Sequence, residues 1–193
     1  MLDLSQKSNL MAPKIIGLYS PAPGSGKSTI ATYLEDYGYS VAPFARFLKG
    51  LVRTLLVELG YTPARATEII KQKDLVVPGI NIRMRTLMQT LGTEWGRNTL
   101  DQDFWINCWK EKVKSCKSFV VADDVRFPNE AAAIKEMGGE VWKVIRPGVE
   151  NSENHSSEGQ LDDWDDFSRV IINDGSLDDL YCKLDLILGD AQG

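Results

Sequence analysis

A glycine-rich segment near the start of the chain has the residue types and spacing of a phosphate-binding loop. Residues 23–29 read P-G-S-G-K-S-T, between a short apolar run and a helical pattern. Glycines let backbone N–H groups turn inward around phosphate oxygens, and the following helix N-terminus adds donors and a positive dipole end. Lys27 can reach the β- and γ-phosphates of a nucleotide, and the Ser28 hydroxyl can ligate Mg²⁺. The predicted Mg-ATP site comprises Gly24, Ser25, Gly26, Lys27, Ser28 and Thr29.

The loop departs from the usual G-x-x-x-x-G-K-[S/T] pattern at its first position. That pattern has glycine five places before Gly26, where this chain has Pro21. Proline fixes φ near about −65°, so the chain must enter the loop differently, and we expect Gly24 to supply part of the missing freedom. A glycine-rich turn without a ligand is the alternative. That alternative would not explain why a lysine follows a glycine at the start of a helix.

Two adjacent carboxylates, Asp123 and Asp124, follow the apolar run 119–122. In open α/β sheets ligands bind at the carboxyl ends of the strands, and a carboxylate beside a phosphate loop can hold Mg²⁺ directly or through water. Arg126 follows and can fork onto a phosphate or pair with an acid. A surface acid–arginine pair that caps a turn is the alternative. The sequence leaves open which of the two acids faces the site.

Strand patterns alternate with helical patterns along the chain, which predicts a parallel α/β sheet flanked by helices. The expected strands are 14–20, 39–43, 118–122, 140–145 and 169–172. The expected helices are 27–37, 44–60, a short helix opened by Thr62 and Pro63, 83–98, 104–114, 129–137 and 176–188. Residues 74–82 are expected to form a loop and 149–166 a polar, mobile excursion. The helix-rich stretch 44–114 lies between two strands, and we expect it to wall a second site.

Composition excludes several classes of protein. The 193 residues carry 22 basic and 27 acidic side chains, and no basic run typical of a nucleic-acid binder is present. A small anionic substrate needs only a few placed cations.

Three cysteines match no zinc spacing, so we expect reduced thiols in a cytosolic protein. No apolar run approaches the ~20 residues of a membrane span. Residues 1–13 are expected to form a loose tail, with Met11 as an alternative start.

Five segments, in order, resemble the deoxynucleoside monophosphate kinases of bacteriophages. They are S-G-K at 25–27, R-T-L-M-Q-T-L-G-T-E at 85–94, D-V-R at 124–126, V-I-R-P-G at 144–148 and I-N-D-G-S-L at 172–177. The second and fifth are more specific than the phosphate loop, which many families share. The resemblance covers about residues 14–188. It implies one P-loop NTPase domain over 1–193, with a three-layer fold, a helical acceptor-binding region at about 44–114 and a lid at about 147–166.

The same resemblance implies Mg-ATP as donor and a deoxynucleoside 5′-monophosphate as acceptor. Arg85 and Gln89 match the segment expected to line the acceptor pocket. Asp124 and Arg126 match the family's D-x-R, which makes Asp124 the expected Mg²⁺ ligand beside Ser28. Arg146 precedes the lid and is expected to pack on adenine or reach phosphate. The turn that contains Asn173 and Gly175 is expected to edge the adenine pocket. The expected catalytic set is Lys27, Arg85, Asp124 and Arg126.

Several further residues have both a functional and an ordinary interpretation. Phe44, Arg46 and Lys49 begin the helix expected to face the acceptor, and the two cations could meet its phosphate or form a solvated basic face. His155, the single histidine, could touch phosphates from the lid or be a plain loop residue. We expect Trp95, Trp105 and Trp109 to be core residues, and Asp162, Asp163, Asp165 and Asp166 to form a solvated turn.

Alternative functions remain at this point. A P-loop kinase of dephosphocoenzyme A or a sugar acid would carry the same phosphate loop, and only the 85–94 segment argues for a nucleotide. A GTP-dependent switch would carry N-K-x-D to recognise guanine, and this chain has none. The acidic balance weighs against an ATPase acting on nucleic acid. The sequence leaves the oligomeric state open, with a homodimer as one alternative. The accepted bases are left open, because pocket shape determines them.

Overall fold

The computed structural model describes residues 13–149 and 160–189, which divide into two compact units. We call Met1–Pro43 with Val113–Gly193 the sheet unit, and Phe44–Lys112 the helical unit. In chain order the elements are β1 (Ile15–Tyr19), α1 (Lys27–Glu35), β2 (Tyr39–Val41), α2 (Arg46–Glu58), α3 (Pro63–Lys71), β3 (Val76–Val77), β4 (Ile82–Arg83), α4 (Met84–Gln89), a π-helix (Thr90–Leu100), α5 (Phe104–Lys114), β5 (Phe119–Ala122), α6 (Pro128–Glu136), β6 (Glu140–Ile145), β7 (Arg169–Ile172) and α7 (Leu177–Gly189).

The sheet unit is built on a five-stranded parallel sheet in the order β2-β5-β1-β6-β7. In its centre, β1 sets Ile16 opposite Val121 of β5 and Leu18 opposite Trp142 of β6. Every residue of β1 is buried, as expected for a central strand with both faces covered. The predicted parallel α/β fold is confirmed, and the strands at 140–145 and 169–172 have the predicted bounds.

Helices cover both faces of this sheet. Ile16 and Leu18 lie in one buried cluster with side chains of α1 and α7. Gly17 faces the other way, and a Cβ there would lie 2.4 Å from Cδ1 of Ile134 on α6. Because successive residues of a strand point to opposite faces, α1 and α7 form one layer and α6 the other. The three-layer arrangement places the segment after β1 at the carboxyl edge of the sheet, where ligands bind in such folds.

The helical unit has its own apolar core. Its buried cluster comprises Val52, Leu56, Ala66, Ile69, Val77 and Met84. Thr62 caps α3 as predicted, since its Oγ1 accepts a hydrogen bond from Arg65 N at 3.2 Å and proline follows at the first helical position. Trp105 and Trp109 are buried as predicted. Trp95 is 39% exposed and packs edge-on against Phe104, so the core prediction is wrong for that residue.

The segment predicted as the loop 74–82 contains a small hairpin. Strands β3 and β4 pair antiparallel, with Val76 opposite Arg83 and Val77 opposite Ile82. Gly79 and Asn81 both have positive φ, at 92° and 54°, and these two residues close the turn between the strands. Strands of two residues leave no periodicity to detect, so the sequence pattern showed only the turn.

The helix predicted over 83–98 is instead α4 followed by a π-helix. The wider turn opens Gly92 O to the indole of Trp105, whose Nε1 donates to it at 2.8 Å. Gly96 leaves room for the same ring, because a Cβ there would lie 2.3 Å from Trp105 Nε1. The π-helix therefore depends on a contact with a residue outside the segment, which local propensity does not contain.

Residues 160–166, expected to be part of a mobile and solvated acidic stretch, pack on the sheet unit. Leu161 is buried, and Asp162 Oδ1 accepts a hydrogen bond from Tyr19 OH at 2.5 Å. Asp166 forms an ion pair with Lys135 at 2.9 Å. Leu161 therefore anchors this part to the sheet unit, while Asp162, Asp163, Asp165 and Asp166 are exposed, as predicted for a solvated turn. Within 13–149 and 160–189, no helix has the length and apolar character that crossing a bilayer requires.

Candidate functional site

The phosphate loop has the backbone conformation that an anion cradle requires. Gly24 and Gly26 have φ of 74° and 106°, values that only glycine adopts readily, so Gly24 does supply the expected freedom. Gly26 is the N-cap of α1, and neither a capping side chain nor an acid in the first turn occupies the helix N-terminus. Gly26 has no side chain that could cap the helix, and an N-terminus of this kind suits an anion.

The start of the loop is stabilised without the usual glycine. Ser20 Oγ donates to Ala22 O at 3.0 Å and accepts from Ala22 N at 3.3 Å. These two bonds span Pro21, which has no N–H of its own to contribute. The serine hydroxyl thus fixes the turn at the position where the sequence departs from the common pattern.

A carboxylate from β5 reaches the loop, and it belongs to Asp123. Ser28 Oγ donates to Asp123 Oδ2 at 3.3 Å. The resemblance favoured Asp124, and the sequence left open which acid faces the site; Asp123 is the acid that contacts Ser28. A hydroxyl and a carboxylate side by side at the head of α1 are hard oxygen donors of the kind that Mg²⁺ takes. These residues fit a metal bound next to the phosphates.

Two side chains from the carboxyl ends of β6 and β7 bind carbonyl groups of the loop. Arg146 Nη1 donates to Gly24 O at 3.4 Å. Asn173 Nδ2 donates to Ser25 O at 2.8 Å, in a buried bond. The structure therefore brings Arg146 and Asn173, both predicted as nucleotide-binding residues, together with Gly24, Ser25 and Gly26.

Arg126 lies in a loop that a buried carboxylate holds. Glu130, 3% exposed, accepts hydrogen bonds from the backbone N of Arg126 at 2.8 Å and of Phe127 at 3.2 Å. Glu130 lies in the predicted helix 129–137 and was not predicted as a site residue. The available signal was its position as an acid in the first turn of α6, three residues after the N-cap.

The turn before α7, which contains Asn173 and Gly175, is fixed by a reciprocal cap. Asp179 Oδ2 accepts from Ser176 N at 2.8 Å, and Ser176 Oγ accepts from Asp179 N at 3.2 Å. A Cβ on Gly175 would lie 2.6 Å from Asp179 Oδ2, so glycine is needed there. The hydrogen bond from Ser176 holds the pKa of Asp179 below its usual range.

Several of the predicted acceptor residues lie in the helical unit, and they differ in exposure. Arg85 and Gln89 are half-buried and lie one turn apart on α4. Arg85 Nε pairs with Asp74 Oδ1 at 3.4 Å, and that aspartate is largely exposed. Lys49 and Arg46 are exposed in the first turns of α2. Phe44 is 3% exposed and stacks on Trp109 with ring centroids 4.4 Å apart, so it packs as a core residue, and its contact with substrate stays a prediction.

His155 and most of the predicted lid lie outside the described residues. Of that stretch the structure describes 147–149 and 160–166. Thr29, in the first turn of α1, is half-buried beside Ser28. The described part of the candidate site is therefore the phosphate loop with its partners from β5, β6 and β7.

Comparison with known proteins identifies the family. The family model described as deoxynucleotide monophosphate kinase matches residues 52–184. A protein of Acanthamoeba polyphaga mimivirus is 30% identical over 184 residues, which cover 88% of this chain and 93% of that protein. The deoxynucleotide monophosphate kinase of Enterobacteria phage T4 is 34% identical over 105 residues, and that of Escherichia phage RB69 is 34% identical over 109. The matched regions cover only 43% and 44% of those two phage enzymes.

A solved structure supports the fold. The crystal structure of TT1252 from Thermus thermophilus superposes with a TM-score of 0.53, at 19% sequence identity, over 94% of this chain and 100% of that one. At that identity the likeness shows the fold alone. The family match and the mimivirus relative extend over most of the chain, and both agree with the resemblance read from its motifs. This chain belongs to the deoxynucleotide monophosphate kinase family.

Proposed function

We propose that the protein transfers the γ-phosphate of ATP to the 5′-phosphate of a deoxynucleoside monophosphate and releases ADP and a deoxynucleoside diphosphate. The observation that carries the proposal is the phosphate loop at the start of α1, with Ser28 against Asp123, in a chain of this family. A loop of this conformation binds the phosphates of a nucleoside triphosphate in kinases that share it.

The donor is assigned to the sheet unit. Gly24, Ser25, Gly26, Lys27, Ser28 and Thr29 would surround its phosphates. Ser28 and Asp123 would hold Mg²⁺, directly or through water, and the metal would neutralise charge on the β- and γ-phosphates. Lys27, the first residue of α1, would place its ammonium on the same phosphates. This set requires no strong base, because phosphoryl transfer depends chiefly on positioning and charge stabilisation.

The resemblance points to acceptor residues in each unit. In the helical unit, Arg85 and Gln89 present polar groups one turn apart on α4, and Lys49 adds an exposed cation on α2. In the sheet unit, Arg126 lies in the loop that Glu130 holds. Guanidinium groups bind phosphate through two parallel hydrogen bonds, so Arg85 and Arg126 are each proposed, from the resemblance, as ligands of the acceptor phosphate.

The proposed lid is narrower than the sequence suggested. Because 160–166 pack on the sheet unit through Leu161, Asp162 and Asp166, the segment proposed to close is 147–159. Its closure would exclude water and suppress hydrolysis of ATP. His155 lies in that segment and stays a proposed substrate contact.

Location and assembly are also proposals. Cys108, Cys116 and Cys182 form no disulfide, which supports a reducing compartment such as the cytosol. A homodimer stays a prediction, and multi-angle light scattering of the purified protein tests it.

A coupled assay of ADP release tests the proposed reaction. The four deoxynucleoside monophosphates are offered with ATP and Mg²⁺, beside the ribonucleoside monophosphates, dephosphocoenzyme A and a sugar acid. We expect turnover with at least one deoxynucleotide and none with the last two acceptors. Turnover with dephosphocoenzyme A or the sugar acid alone would move the protein to another class of small-molecule kinase.

A further inference from the structure

Asn173 commits its side-chain donor to the phosphate loop. Its Nδ2 donates to Ser25 O at 2.8 Å, and the residue is only 9% exposed. Its backbone N donates to Ile145 O at 2.7 Å, which holds the residue against the end of β6. Asn173 is therefore fixed at both its backbone and its side chain, and it joins the end of β7 to the loop through a buried bond.

This bond fixes the orientation of one peptide group. In a planar trans peptide, the C=O of one residue and the N–H of the next point in opposite directions. Holding Ser25 O against Asn173 therefore turns the Gly26 N–H away from Asn173. Arg146 acts in the same way on the preceding peptide through Gly24 O, at a longer distance of 3.4 Å. Inward-pointing N–H groups are what phosphate loops use to bind phosphate.

Two further observations show that the loop depends on this contact. A Cβ on Gly26 would lie 2.6 Å from Asn173 Nδ2, so the asparagine lies directly against the loop backbone. Ser25 is 1% exposed, and its buried hydroxyl has no hydrogen-bond partner in the described part of the chain. The Ser25 side chain thus provides no hydrogen bond that could hold the loop, and the carbonyl contact with Asn173 does.

We propose that Asn173 is a positioning residue for the phosphate chain of the donor, acting through the Ser25–Gly26 peptide, and does not recognise the adenine base. This inference rests on the proposed role of the loop as the donor site. It assigns the asparagine to the triphosphate, the part common to all nucleoside triphosphates. Its loss should therefore weaken all of them alike and leave the choice of donor base unchanged.

The test measures binding of Mg²⁺ with inorganic tripolyphosphate, ATP or GTP to the full chain by calorimetry, for wild type, Asn173→Ala and Asn173→Asp. The aspartate keeps the size of the side chain but cannot donate to Ser25 O, so the proposal does not depend on the alanine variant folding. We expect both variants to bind all three ligands about 10-fold more weakly or worse, with the ratio of ATP to GTP affinity unchanged. An altered ATP/GTP ratio with unchanged tripolyphosphate binding would show that Asn173 recognises the base, and unchanged binding of all three would also overturn the proposal.

Asp185→Ala is the matched control for stability. Asp185 accepts hydrogen bonds from the hydroxyls of Tyr33 and Tyr37, which join α1 to α7 through side chains other than those of the loop. We expect this variant to lower the unfolding temperature and leave the three affinities unchanged. If it weakens binding as much as the Asn173 variants do, the effect is one of stability and the positioning role is contradicted. Wild-type protein that binds none of the ligands would instead refute the donor site itself, which separates the two failures.

Discussion

In the sheet unit Asp123, Arg146 and Asn173 are hydrogen-bonded to the phosphate loop, whereas in the helical unit Arg85, Gln89 and Lys49 lie on half-buried or exposed helix faces. Ser28 meets Asp123, and Asn173 meets Ser25. By contrast, Arg85 has an ion pair with Asp74, whose side chain is largely exposed. Exposed pairs of this kind contribute little stability, so breaking this one costs little.

The difference matches what each half of the reaction needs. The hydrogen-bond donors that bind the triphosphate should point at its charged oxygens before the reaction begins, because preorganised groups need no rearrangement at the moment of transfer. An acceptor that must enter and leave in each cycle is served by cations that can change partners. The comparison therefore predicts that changes to the donor residues of the sheet unit lower kcat or weaken binding of Mg-ATP, and that changes to the acceptor residues of the helical unit raise the KM for the acceptor.

The largest expected effect is that of Lys27→Ala. Removing the ammonium leaves the charge of the transferred phosphoryl group without its main protein partner, so kcat should fall roughly 10³-fold or more. Circular dichroism and the unfolding temperature should stay close to those of wild type. Lys71→Ala, which removes an exposed lysine paired with Glu68 on α3, is the control and should turn over normally. Near-normal turnover by Lys27→Ala would remove the loop from the mechanism.

The next effect separates the two adjacent acids. Asp123→Asn should raise the Mg²⁺ concentration needed for half-maximal rate about 10-fold to 100-fold, because its carboxylate lies against Ser28. Asp124→Asn is its matched partner and should raise that requirement less. Measuring the rate against Mg²⁺ concentration at saturating ATP shows which of the two variants needs more Mg²⁺. The reverse order would return the metal to Asp124, the residue that the resemblance favoured.

A smaller effect should appear in the helical unit. Arg85→Ala should raise the KM for the deoxynucleotide about 10-fold or more with the KM for ATP unchanged, since the guanidinium is proposed to bind the acceptor phosphate. Asp74→Ala removes the exposed partner of Arg85 and should leave the acceptor KM unchanged or slightly lower it. Steady-state kinetics with each substrate varied in turn distinguishes the two. A rise in the KM for ATP alone would place Arg85 on the donor side.

The smallest effect concerns a surface pair on the turn before α7. Lys183 Nζ donates to Asp174 Oδ1 at 2.6 Å, and this hydrogen bond holds the pKa of Asp174 below its usual range. Because the pKa of Asp174 is lower in the folded state than in the unfolded state, this pair stabilises the fold at pH values above the unfolded-state pKa. That stability is lost as the pH falls through the folded-state pKa. Lys183→Met should therefore unfold at a slightly lower temperature at pH 7, and the difference should vanish between about pH 4 and pH 2. A difference that persists at pH 2 would mean that Lys183 acts through Ile172 O, which it also contacts.

The sequence predicted those features whose signals are local. The apolar runs predicted the strands, and the G-S-G-K-S-T core predicted the loop with positive φ at Gly24 and Gly26. The resemblance selected Asn173 and Arg146, both of which reach the loop. Local signals suffice for these because a strand, a cap or a glycine turn is encoded by adjacent residues.

The features that escaped prediction depend on distant partners. The π-helix needs Trp105 to bind Gly92 O, and the packing of 160–166 needs Tyr19 and Lys135. The choice between Asp123 and Asp124 depends on how the end of β5 lies against α1, which neither acid's neighbours in the sequence determine. Phe44 was predicted at the start of the helix that faces the acceptor. Its stacking on Trp109 could not be inferred from the spacing of residues in the sequence.

Transfer of label from γ-labelled ATP is the most direct test of the central claim. Purified protein is incubated with labelled ATP, Mg²⁺ and each deoxynucleoside monophosphate in turn, and the products are separated by chromatography. The account predicts label in a deoxynucleoside diphosphate in amounts equal to the ADP formed. Label recovered only as inorganic phosphate, or no loss of label from ATP with any acceptor, would contradict it.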